Sequence, residues 1–371
     1  MHIITGLHRG GAETLLCRLL THPTLNSTNS FCVVCLSGPG EISGDLEKQG
    51  IDVHHLNMNA GFFSSFKGLW RLNAIFSSFK PQAVQTWLYH GNLIGGLLSW
   101  LHRCPVSWSI HNNYDLPAKN RGRLLMELNR VLSYFLPKFV VYCSESARKS
   151  HVKNGFSLKK NVVIANGVDC QKFRRNDRTE ACRMIGLAPS DFIVSMVARF
   201  SPEKDHKTFL EAASLLRKEI KNIHFVLCGY GISRNNTELC NQLTKLDLHS
   251  QCSLFETINP IENIYNASDI VTLTSLSESF GLSIAEAMAC ETLVVATDIE
   301  GLSDLVLDKS FLVPTRDPEA VSRAWKALIE LPSVDKRALG ASMRRRIEDN
   351  FSFDVMGSGY QELWGALAEK S

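Results

Sequence analysis

Glu278 and Glu286 lie eight residues apart in SLSESFGLSIAEAMAC (residues 275–290), with an apolar helical pattern between them and no Lys, Arg or His. On one helix they would be separated by roughly 12 Å along the axis, which exceeds the roughly 5–9.5 Å between the carboxylates of a glycosidase pair. The spacing therefore favours carboxylates that contact different parts of one ligand. A structural interpretation stays open, because Ser275 and Ser283 each precede a glutamate by three residues, as in a capping box.

Two cations precede these acids in VARFSPEKDHKTFLEAA, with Arg199 at the end of a predicted strand and Lys204 at the opening of a helix. A diphosphate leaving group needs such positive charge as its bond to carbon breaks. Gly281 is suited to open a helix whose first N–H groups, at residues 280–283, face a phosphate. The chain contains no Asp-x-Asp, so we expect fixed cations and no metal to hold a diphosphate.

Further candidates follow other predicted strands. Gly10 and Gly11 come after the first strand and just before a helix, where backbone N–H groups can approach an anion; a tight turn alone is the alternative. They do not form G-x-G-x-x-G, which argues against a dinucleotide site. His111 ends the strand at 106–112; as a lone histidine it is either a ligand contact or a structural hydrogen-bonding residue. Gly229 and Gly231 follow the strand at 224–229.

Short β-branched runs alternate with longer amphipathic segments along the whole chain. Such repetition predicts parallel sheets that are covered on both faces, with ligands beyond the carboxyl ends of the strands. A break near NGVDCQKF (166–173) divides the pattern, so we predict an α/β fold of two Rossmann-like, doubly wound parallel-sheet domains facing each other across a cleft. The predicted strands are 2–5, 31–37, 51–57, 83–87, 106–112, 139–144, 161–166, 192–199, 224–229, 252–256, 269–275, 293–297 and 311–313.

Positive charge is concentrated in the first half of the chain. Residues 1–168 contain 17 Lys and Arg against 8 Asp and Glu, and residues 169–371 contain 23 against 29, which sums to the net +3. A basic half predicts contact with an anionic partner such as a membrane surface or a pyrophosphate-bearing substrate, although chance asymmetry gives the same counts. The basic, aromatic segments 64–80 and 119–138 are the hypothesised membrane contacts; packing of their apolar faces into the core is an equally open interpretation.

Eleven scattered cysteines, an odd number, favour a reducing compartment over a disulfide framework. Cys32 and Cys35 have CxxC spacing, but residues three apart in a strand point to opposite faces, so we expect core residues and not a metal or redox pair.

The best apolar run, 93–101, is about half of the roughly 20 residues that a membrane span needs. The first residues do not read as a signal peptide, so we expect a cytoplasmic protein, peripheral on the inner membrane face if the membrane contacts hold.

Four stretches, in this order, resemble the family 4 retaining glycosyltransferases, which have the GT-B fold and a Glu-x7-Glu motif: GLHRGGAETLL, NGVDCQKF, VARFSPEKDHKTFLEAA and SESFGLSIAEAMA. The resemblance extends over nearly the whole chain. QTWLYHGNLIGG and SWSIHNN are similar to the branch that builds lipopolysaccharide O-antigens and bacterial capsules. The resemblance implies an acceptor-side domain (1–168), a nucleotide-sugar donor domain (169–350) and a carboxy-terminal helix (351–371) that crosses back to the first domain.

The resemblance also implies roles by position. Arg199 and Lys204 would neutralise the donor diphosphate, Glu278 would hold hydroxyls of the donor sugar, Glu286 would hydrogen-bond the ribose, and His111 would lie against the transferred sugar. The remaining implied substrate-binding residues are Gly10, Gly11, Gly229, Gly231, Phe280, Gly281 and Leu282.

The implied activity is a retaining transfer, without metal or cofactor, of a sugar from a nucleotide sugar to a lipid-linked or saccharide acceptor in O-antigen or capsule synthesis, with no nucleic-acid partner. The acceptor hydroxyl would attack the anomeric carbon from the face that the nucleotide leaves. Two alternatives stay open. One is a catalytically weak or silent nucleotide-sugar-binding protein, and the other is a different GT-B enzyme such as a nucleotide-sugar epimerase.

The chain departs from the family pattern at two turns. The usual cGxPVVAT is CETLVVAT, in which Glu291 and Leu293 replace glycine and proline, and the usual FLGxRxD is LFETINP, with Glu256, Ile258 and Pro260. The loss of a turn glycine predicts either that the backbone there does not need positive φ or that the donor pocket is locally altered.

Overall fold

The computed structural model describes residues 1–8, 10–22, 25–26, 29–58, 62–114, 120–306 and 308–369. Arg9 of the loop after the first strand and Lys119 of the segment 119–138 lie outside the described residues. The chain divides into two compact units: unit N contains residues 1–167 and 354–371, and unit C contains residues 168–353. The sequence predicts boundaries at 168/169 and 350/351.

Unit N is built on a parallel sheet of seven strands in the order β3-β2-β1-β4-β5-β6-β7. Its inner strands are buried on both faces, as expected when helices cover both sides of a parallel sheet. The strands are β1 (His2–Ile4), β2 (Cys32–Cys35), β3 (Asp52–His55), β4 (Val84–Trp87), β5 (Val106–Ile110), β6 (Phe139–Tyr142) and β7 (Asn161–Val163).

Unit C is built on a second parallel sheet of six strands in the order β10-β9-β8-β11-β12-β13. Each segment that the sequence predicts as a strand overlaps an observed strand, which confirms the prediction of two Rossmann-like parallel sheets. The strands are β8 (Phe192–Val197), β9 (Ile223–Cys228), β10 (Cys252–Phe255), β11 (Ile270–Leu273), β12 (Leu293–Thr297) and β13 (Leu312–Val313).

Helices connect most consecutive strands. In unit N they are α1 (Gly11–Leu20), α2 (Ser43–Lys48), α3 (Phe62–Phe79), α4 (Leu88–Leu101), α5 (Asn120–Leu132) and α6 (Glu145–Lys153). In unit C they are α7 (Arg178–Met184), α8 (His206–Leu216), α9 (Thr237–Lys245), α10 (Glu262–Ala267), α11 (Leu282–Ala289), α12 (Glu300–Ser303), α13 (Pro318–Glu330) and α14 (Ser333–Phe351), with 3₁₀ turns at Pro202–Lys204 and Lys309–Phe311. Within the described residues, every helix lacks the length or the hydrophobicity that crossing a bilayer requires.

The last helix, α15 (Phe353–Ala368), belongs to unit N from Asp354 onward. Its Tyr360 is fully buried and stacks on Trp87 at the end of β4, with ring centroids 6.0 Å apart. Trp364 donates to Gln85 Oε1 at 3.4 Å. The helix therefore packs against β4, including its carboxyl end.

The eleven cysteines are free thiols. Cys32 and Cys35 are both buried in β2, as the sequence predicts for core residues. Burial raises the pKa of the Cys32 thiol to about 12, so it stays protonated at neutral pH.

At position 291, neither of the two explanations for a missing turn glycine holds. Glu291 has a φ of 61°, so the backbone keeps the left-handed conformation although glycine is absent. It lies in the turn between α11 and the amino end of β12, whereas ligands bind at carboxyl ends. The substitution therefore imposes local strain and does not alter the edge of the sheet where a donor is expected. Glu256, in contrast, follows the carboxyl end of β10 and is exposed.

We expect Glu291→Gly to stabilise unit C by about 1 kcal/mol, because a left-handed residue with a Cβ costs about that much relative to glycine. The lost ion pair with Arg175 is 3.2 Å long, and its arginine side chain is 56% and its glutamate side chain 23% exposed; a pair so open to solvent contributes about 0–1 kcal/mol. Thermal unfolding should show a Tm rise of about 2–4 °C. Glu291→Ala removes the same ion pair but retains the strain, so an equal rise in that variant would contradict the explanation.

Candidate active site

Two loops of unit C are joined by hydrogen bonds to backbone carbonyls. Leu276 N–H donates to the Glu203 carbonyl at 2.8 Å, and Thr274 Oγ1 donates to the carbonyls of Lys204 and Asp205 at 3.2 and 2.9 Å. One loop follows β8 and the other follows β11, which are neighbours in the sheet. Because parallel strands end at the same edge, residues far apart in sequence meet there.

These bonds place Lys204 directly against Glu278. Lys204 Nζ donates to Glu278 Oε1, and the two side chains are only 17% and 11% exposed. Ser275 Oγ also donates to Glu278 Oε1, at 3.0 Å. Two residues that the sequence assigns to different parts of a ligand, a diphosphate and a sugar, are therefore in contact. Burial limits solvent screening of this pair.

Arg199 lies on the same loop and contacts a carboxylate that the sequence argument overlooked. Its Nη2 donates to Glu203 Oε1 at 2.5 Å, and its side chain is 63% exposed. Partial burial alone would raise the pKa of Glu203, but hydrogen bonds from Arg199, from the backbone and from Ser201 bring it down to about 2. In the sequence, the spacing of four residues between Arg199 and Glu203 was the signal from which this contact could have been predicted. Both predicted cations are thus matched by a carboxylate.

Gly229 and Gly231 follow β9, the next strand in the sheet, and both have positive φ, 145° and 79°. A Cβ on Gly229 would lie 2.3 Å from the Ala198 carbonyl oxygen and 2.9 Å from the Arg199 nitrogen. The loop after β9 therefore packs directly on the backbone that carries Arg199. Only glycine permits that approach.

Gly281 precedes α11 and has φ 84° and ψ 54°. The first intrahelical bonds run from the N–H groups of Ile284 and Ala285 to the Gly281 carbonyl, so the N–H groups of Leu282 and Ser283 belong to the helix start. Phe280 is buried and packs edge-to-face on Phe351, with centroids 5.5 Å apart. This geometry agrees with the predicted helix opening.

Gly301 was not among the predicted residues. It lies in α12, just beyond the carboxyl end of β12, and a Cβ there would lie 2.1 Å from the Glu278 carbonyl oxygen. The helix thus packs against the backbone of Glu278. A glycine shortly after a strand was the signal that could have identified it.

Glu286 lies inside α11, whereas Glu278 precedes that helix, so the one-helix spacing of roughly 12 Å does not describe the pair. Glu286 is nearly buried and accepts a hydrogen bond of 2.7 Å from the Tyr265 hydroxyl. Ser283 is within the helix and Gly281 is its N-cap, so the capping-box explanation for Glu286 does not apply. Burial, together with Glu286, holds the pKa of Tyr265 well above its usual value, which keeps the hydroxyl a donor.

In unit N, His111 follows β5 and stacks on Trp87, with ring centroids 5.0 Å apart and an interplanar angle of 11°. Its Nδ1 lies 3.3 Å from Asn166 Oδ1. Since the amide oxygen only accepts, Nδ1 carries the proton and Nε2 is an acceptor. Burial lowers the pKa of His111 to about 4, so the ring is neutral at neutral pH.

Gly10 is the N-cap of α1 and Gly11 is its first residue. A Cβ on Gly10 would lie 2.3 Å from the Glu13 carboxylate, and no atom lies within 4 Å of a Cβ on Gly11. The carboxylate of Glu13 therefore folds over the helix start where an anion was expected. A Glu three residues after a cap is the capping-box pattern.

Metal ligands form one cluster within the described ranges, Cys32, Asp52 and His54, whose ligand atoms lie within 4.8 Å of one another. The cluster is on β2 and β3 and includes none of the predicted site residues. The high pKa of the Cys32 thiol opposes the deprotonation that metal binding needs.

We expect the stability of unit N to depend on His111 at mildly acidic pH. In the unfolded chain the imidazole of His111 is protonated near pH 6.5, whereas in the folded unit it is protonated only near pH 4. The contribution of the neutral ring to the free energy of unfolding is therefore complete above about pH 6.5 and is lost as the pH falls towards 4. His111→Gln should reduce the loss by up to about 1 kcal/mol per pH unit in this window, measured by thermal unfolding at pH 7 and pH 5. The exposed His249→Gln is the control, and equal pH dependence in wild type and His111→Gln would contradict the assignment.

Family comparison matches both halves of the chain. Residues 9–172 match Glycosyltransferase Family 4 and residues 177–349 match Glycosyl transferases group 1. A D-inositol 3-phosphate glycosyltransferase from Rhodococcus erythropolis is 28% identical over 241 residues, which are 62% of this chain and 54% of that protein. The chain thus spans about half the length of this relative. The capsular polysaccharide biosynthesis glycosyltransferase CapM of Staphylococcus aureus is 19% identical over 85% of each chain.

Among solved structures, Anabaena HepE in complex with UDP superimposes with a TM-score of 0.85 at 19% identity, covering 98% of this chain and 99% of that chain. At this identity the likeness establishes the fold. The seven-stranded and six-stranded parallel sheets, and the two family matches that follow each other along the sequence, agree with it. The chain therefore has the GT-B glycosyltransferase fold, with a Glycosyltransferase Family 4 half followed by a Glycosyl transferases group 1 half.

Proposed function

We propose that this protein transfers a sugar from a nucleotide-diphosphate sugar to an acceptor hydroxyl. The observation that carries the proposal is the cluster at the carboxyl edge of the unit C sheet, where Lys204 and Glu278 form a partly buried ion pair and Arg199 lies on the same loop as Lys204. Gly281 begins a helix three residues after Glu278. Fixed cations and a helix start are the groups that a diphosphate needs.

The donor diphosphate would replace carboxylates as the partner of both cations. Without it, Arg199 pairs with Glu203 and Lys204 pairs with Glu278. When a diphosphate binds Arg199 and Lys204, Lys204 would no longer donate fully to the Glu278 carboxylate. That carboxylate could then accept hydrogen bonds from hydroxyls of the donor sugar. The two cations would stabilise the charge that develops on the leaving phosphate.

The nucleotide end of the donor is assigned to Glu286. Its carboxylate is held by the Tyr265 hydroxyl, which fixes its direction, and its remaining acceptor capacity suits ribose hydroxyls. Gly229 and Gly231, on the loop that packs against Arg199, would let the donor approach the backbone closely. Solved complexes of Anabaena HepE contain UDP and UDP-glucose, and we propose a nucleotide sugar of this class as the donor here.

For unit N we propose substrate contacts at His111, Gly10 and Gly11. The neutral ring of His111, with its proton on Nδ1, would accept a hydrogen bond from a sugar hydroxyl at Nε2, an atom that is buried in the ligand-free protein. Stacking on Trp87 fixes the orientation of the ring. The start of α1 offers backbone N–H groups to an anion if the carboxylate of Glu13 moves aside.

We further propose that the reaction retains the configuration at the anomeric carbon and needs no metal. Glu278 is paired with Lys204, which suits orientation of hydroxyls better than nucleophilic attack. The acceptor hydroxyl would attack from the face that the diphosphate leaves, and its proton would pass to the departing phosphate oxygen. Arg199 and Lys204 would supply the charge stabilisation that a divalent cation otherwise provides.

The proposed acceptor is a lipid-linked or saccharide hydroxyl in the synthesis of O-antigen or capsular polysaccharide. The relative CapM acts in capsule biosynthesis and aligns over 85% of both chains, whereas the inositol-phosphate glycosyltransferase aligns over about half its length. A phosphorylated cyclitol is therefore the competing acceptor. Eleven free thiols suit a cytoplasmic site of action.

A nucleotide-sugar-binding protein with weak or no turnover is the second candidate. The observation in its favour is Glu256, which is exposed after the carboxyl end of β10, at the position where the family pattern has glycine. An extra carboxylate at this edge would oppose the negative charge that develops on the diphosphate as its bond to the sugar breaks, which lowers turnover. Glu291 lies at the amino end of β12 and gives this candidate no support.

We expect UDP-sugars to raise the Tm of the wild-type protein, and Arg199→Ala and Glu286→Ala to abolish that shift, because each removes a direct donor contact. A thermal-shift screen over several nucleotide sugars measures this. Arg323→Ala, which removes an exposed i, i+4 pair with Glu319 on α13, is the matched control and should keep the shift. An unchanged shift in Arg199→Ala and Glu286→Ala would refute the assigned site.

We expect the product formed from an α-linked donor to be α-linked, and turnover to persist in excess EDTA, because fixed cations hold the diphosphate. NMR coupling constants of the product, with trial saccharide and lipid-linked acceptors, measure the configuration. An inverted product would refute the retaining mechanism, and loss of turnover in EDTA that Mg²⁺ restores would refute metal independence. Donor binding without turnover on any acceptor would favour the second candidate.

A further inference from the structure

Unit N exposes a large apolar surface on one side of its sheet. The connections from β3 to β4, β4 to β5 and β5 to β6 all advance in the same direction across the sheet, so right-handed crossovers place α3, α4 and α5 on one face. Contacts agree with this: His102 Nε2, just after α4, donates to Asn73 Oδ1 of α3 at 2.8 Å, and Asn129 of α5 donates to the Tyr89 carbonyl of α4 at 3.1 Å.

The outer sides of these helices are unusually rich in aromatic and aliphatic side chains. Eleven of the seventeen exposed large hydrophobic residues within the described ranges lie on α3, α4, α5 and the turn that follows α5. Three aromatic residues stand out, one from each segment: Trp70 is 70% exposed, Trp100 66% and Phe135 73%. Leu124, Leu128, Val131 and Phe135 recur every three or four residues, which aligns them as one stripe along α5 and its end.

Positive charge surrounds this apolar surface. Residues 62–138 contain nine Lys and Arg and two Asp and Glu. Lys67, Arg71 and Arg103 are exposed beside the aromatic residues, and Glu127 is already paired with Arg130 at 2.7 Å. We define the exposed side of α3, α4, α5 and residues 133–138 as the aromatic-basic face.

A groove of about 1150 Å³ opens at one end of this face. Trp100, Leu101 and Phe135 line it together with Arg103, Lys138 and Lys160. Lys138 Nζ donates to the Ala366 carbonyl at 2.7 Å and Lys160 Nζ donates to the Tyr134 carbonyl at 3.3 Å, so hydrogen bonds hold both ammonium groups at the groove. In such a groove, the cations suit the phosphate of a lipid headgroup, and the aromatic side chains suit the boundary between the headgroups and the acyl chains.

We propose that the aromatic-basic face docks on a membrane surface that contains anionic lipids. Trp and Phe side chains insert at the level of the headgroups, and the surrounding cations contact lipid phosphates. A second copy of the chain fits this face poorly, because a two-fold interface would bring two basic surfaces together. The inference stands apart from the proposed function, since it concerns helices that contain none of the proposed substrate contacts.

Co-flotation with vesicles tests the proposal without any donor present. Wild type should bind vesicles of phosphatidylcholine with about one third phosphatidylglycerol, bind vesicles of phosphatidylcholine alone at least about tenfold less, and dissociate at high salt. Trp70→Ser/Trp100→Ser/Phe135→Ser should lower binding by about tenfold or more, and Lys67→Glu/Arg71→Glu/Arg103→Glu should abolish the preference for anionic lipid. All six side chains are exposed, so folding should persist, as an unchanged Tm would verify.

Two controls place matched changes on unit C. Met184→Ser/Val334→Ser removes exposed apolar side chains, and Lys207→Glu/Lys221→Glu/Lys245→Glu reverses exposed charges; both should leave vesicle binding unchanged. Failure of wild type to bind, or equal binding by the face variants and these controls, would overturn the proposal. Self-association that the triple serine variant abolishes, without vesicle binding, would assign the face to a second copy. The donor-induced Tm shift should be the same in the face variants, which separates this outcome from failure of the proposed function.

Discussion

The partly buried ion pair between Lys204 and Glu278 is the contact on which the candidate site depends. It exists because the loops after β8 and β11 are joined by the Leu276–Glu203 and Thr274 hydrogen bonds. A buried charge without a partner is strongly destabilising, so each member requires the other in the ligand-free protein. In the ligand-free protein, Glu278 compensates the positive charge of Lys204. The ammonium group nevertheless stays where a diphosphate would use it.

Close backbone packing around this pair explains several glycines. Gly229 brings the loop after β9 onto the Ala198–Arg199 backbone, and Gly301 brings α12 onto the Glu278 carbonyl. Side chains at either position would push these segments apart by more than the packing allows. The site is therefore a rigid arrangement of loops at one sheet edge, which is the arrangement that preorganised electrostatic stabilisation requires.

The departures from the family pattern have different structural meanings. Glu291 retains a left-handed backbone at the amino end of β12 and affects stability, whereas Glu256 lies at the carboxyl end of β10 and is the departure that can affect a ligand. Sequence alone treats both as lost glycines. Their places at opposite ends of the sheet distinguish them.

The sequence by itself determined the two parallel sheets, their strands and the helix that begins after Gly281, because these follow from local hydrophobic periodicity and turn chemistry. It also placed Arg199, Lys204, Glu278 and His111 after strands, at the edges where ligands bind. Only the tertiary structure paired Lys204 with Glu278 and Glu286 with Tyr265, whereas the spacing of Arg199 and Glu203 and of Gly10 and Glu13 was a local signal for their contacts. The first two pairings, and the aromatic-basic face shared by three separate helices, depend on the strand order and on side-chain directions. Long-range packing decides both, and no local pattern encodes them.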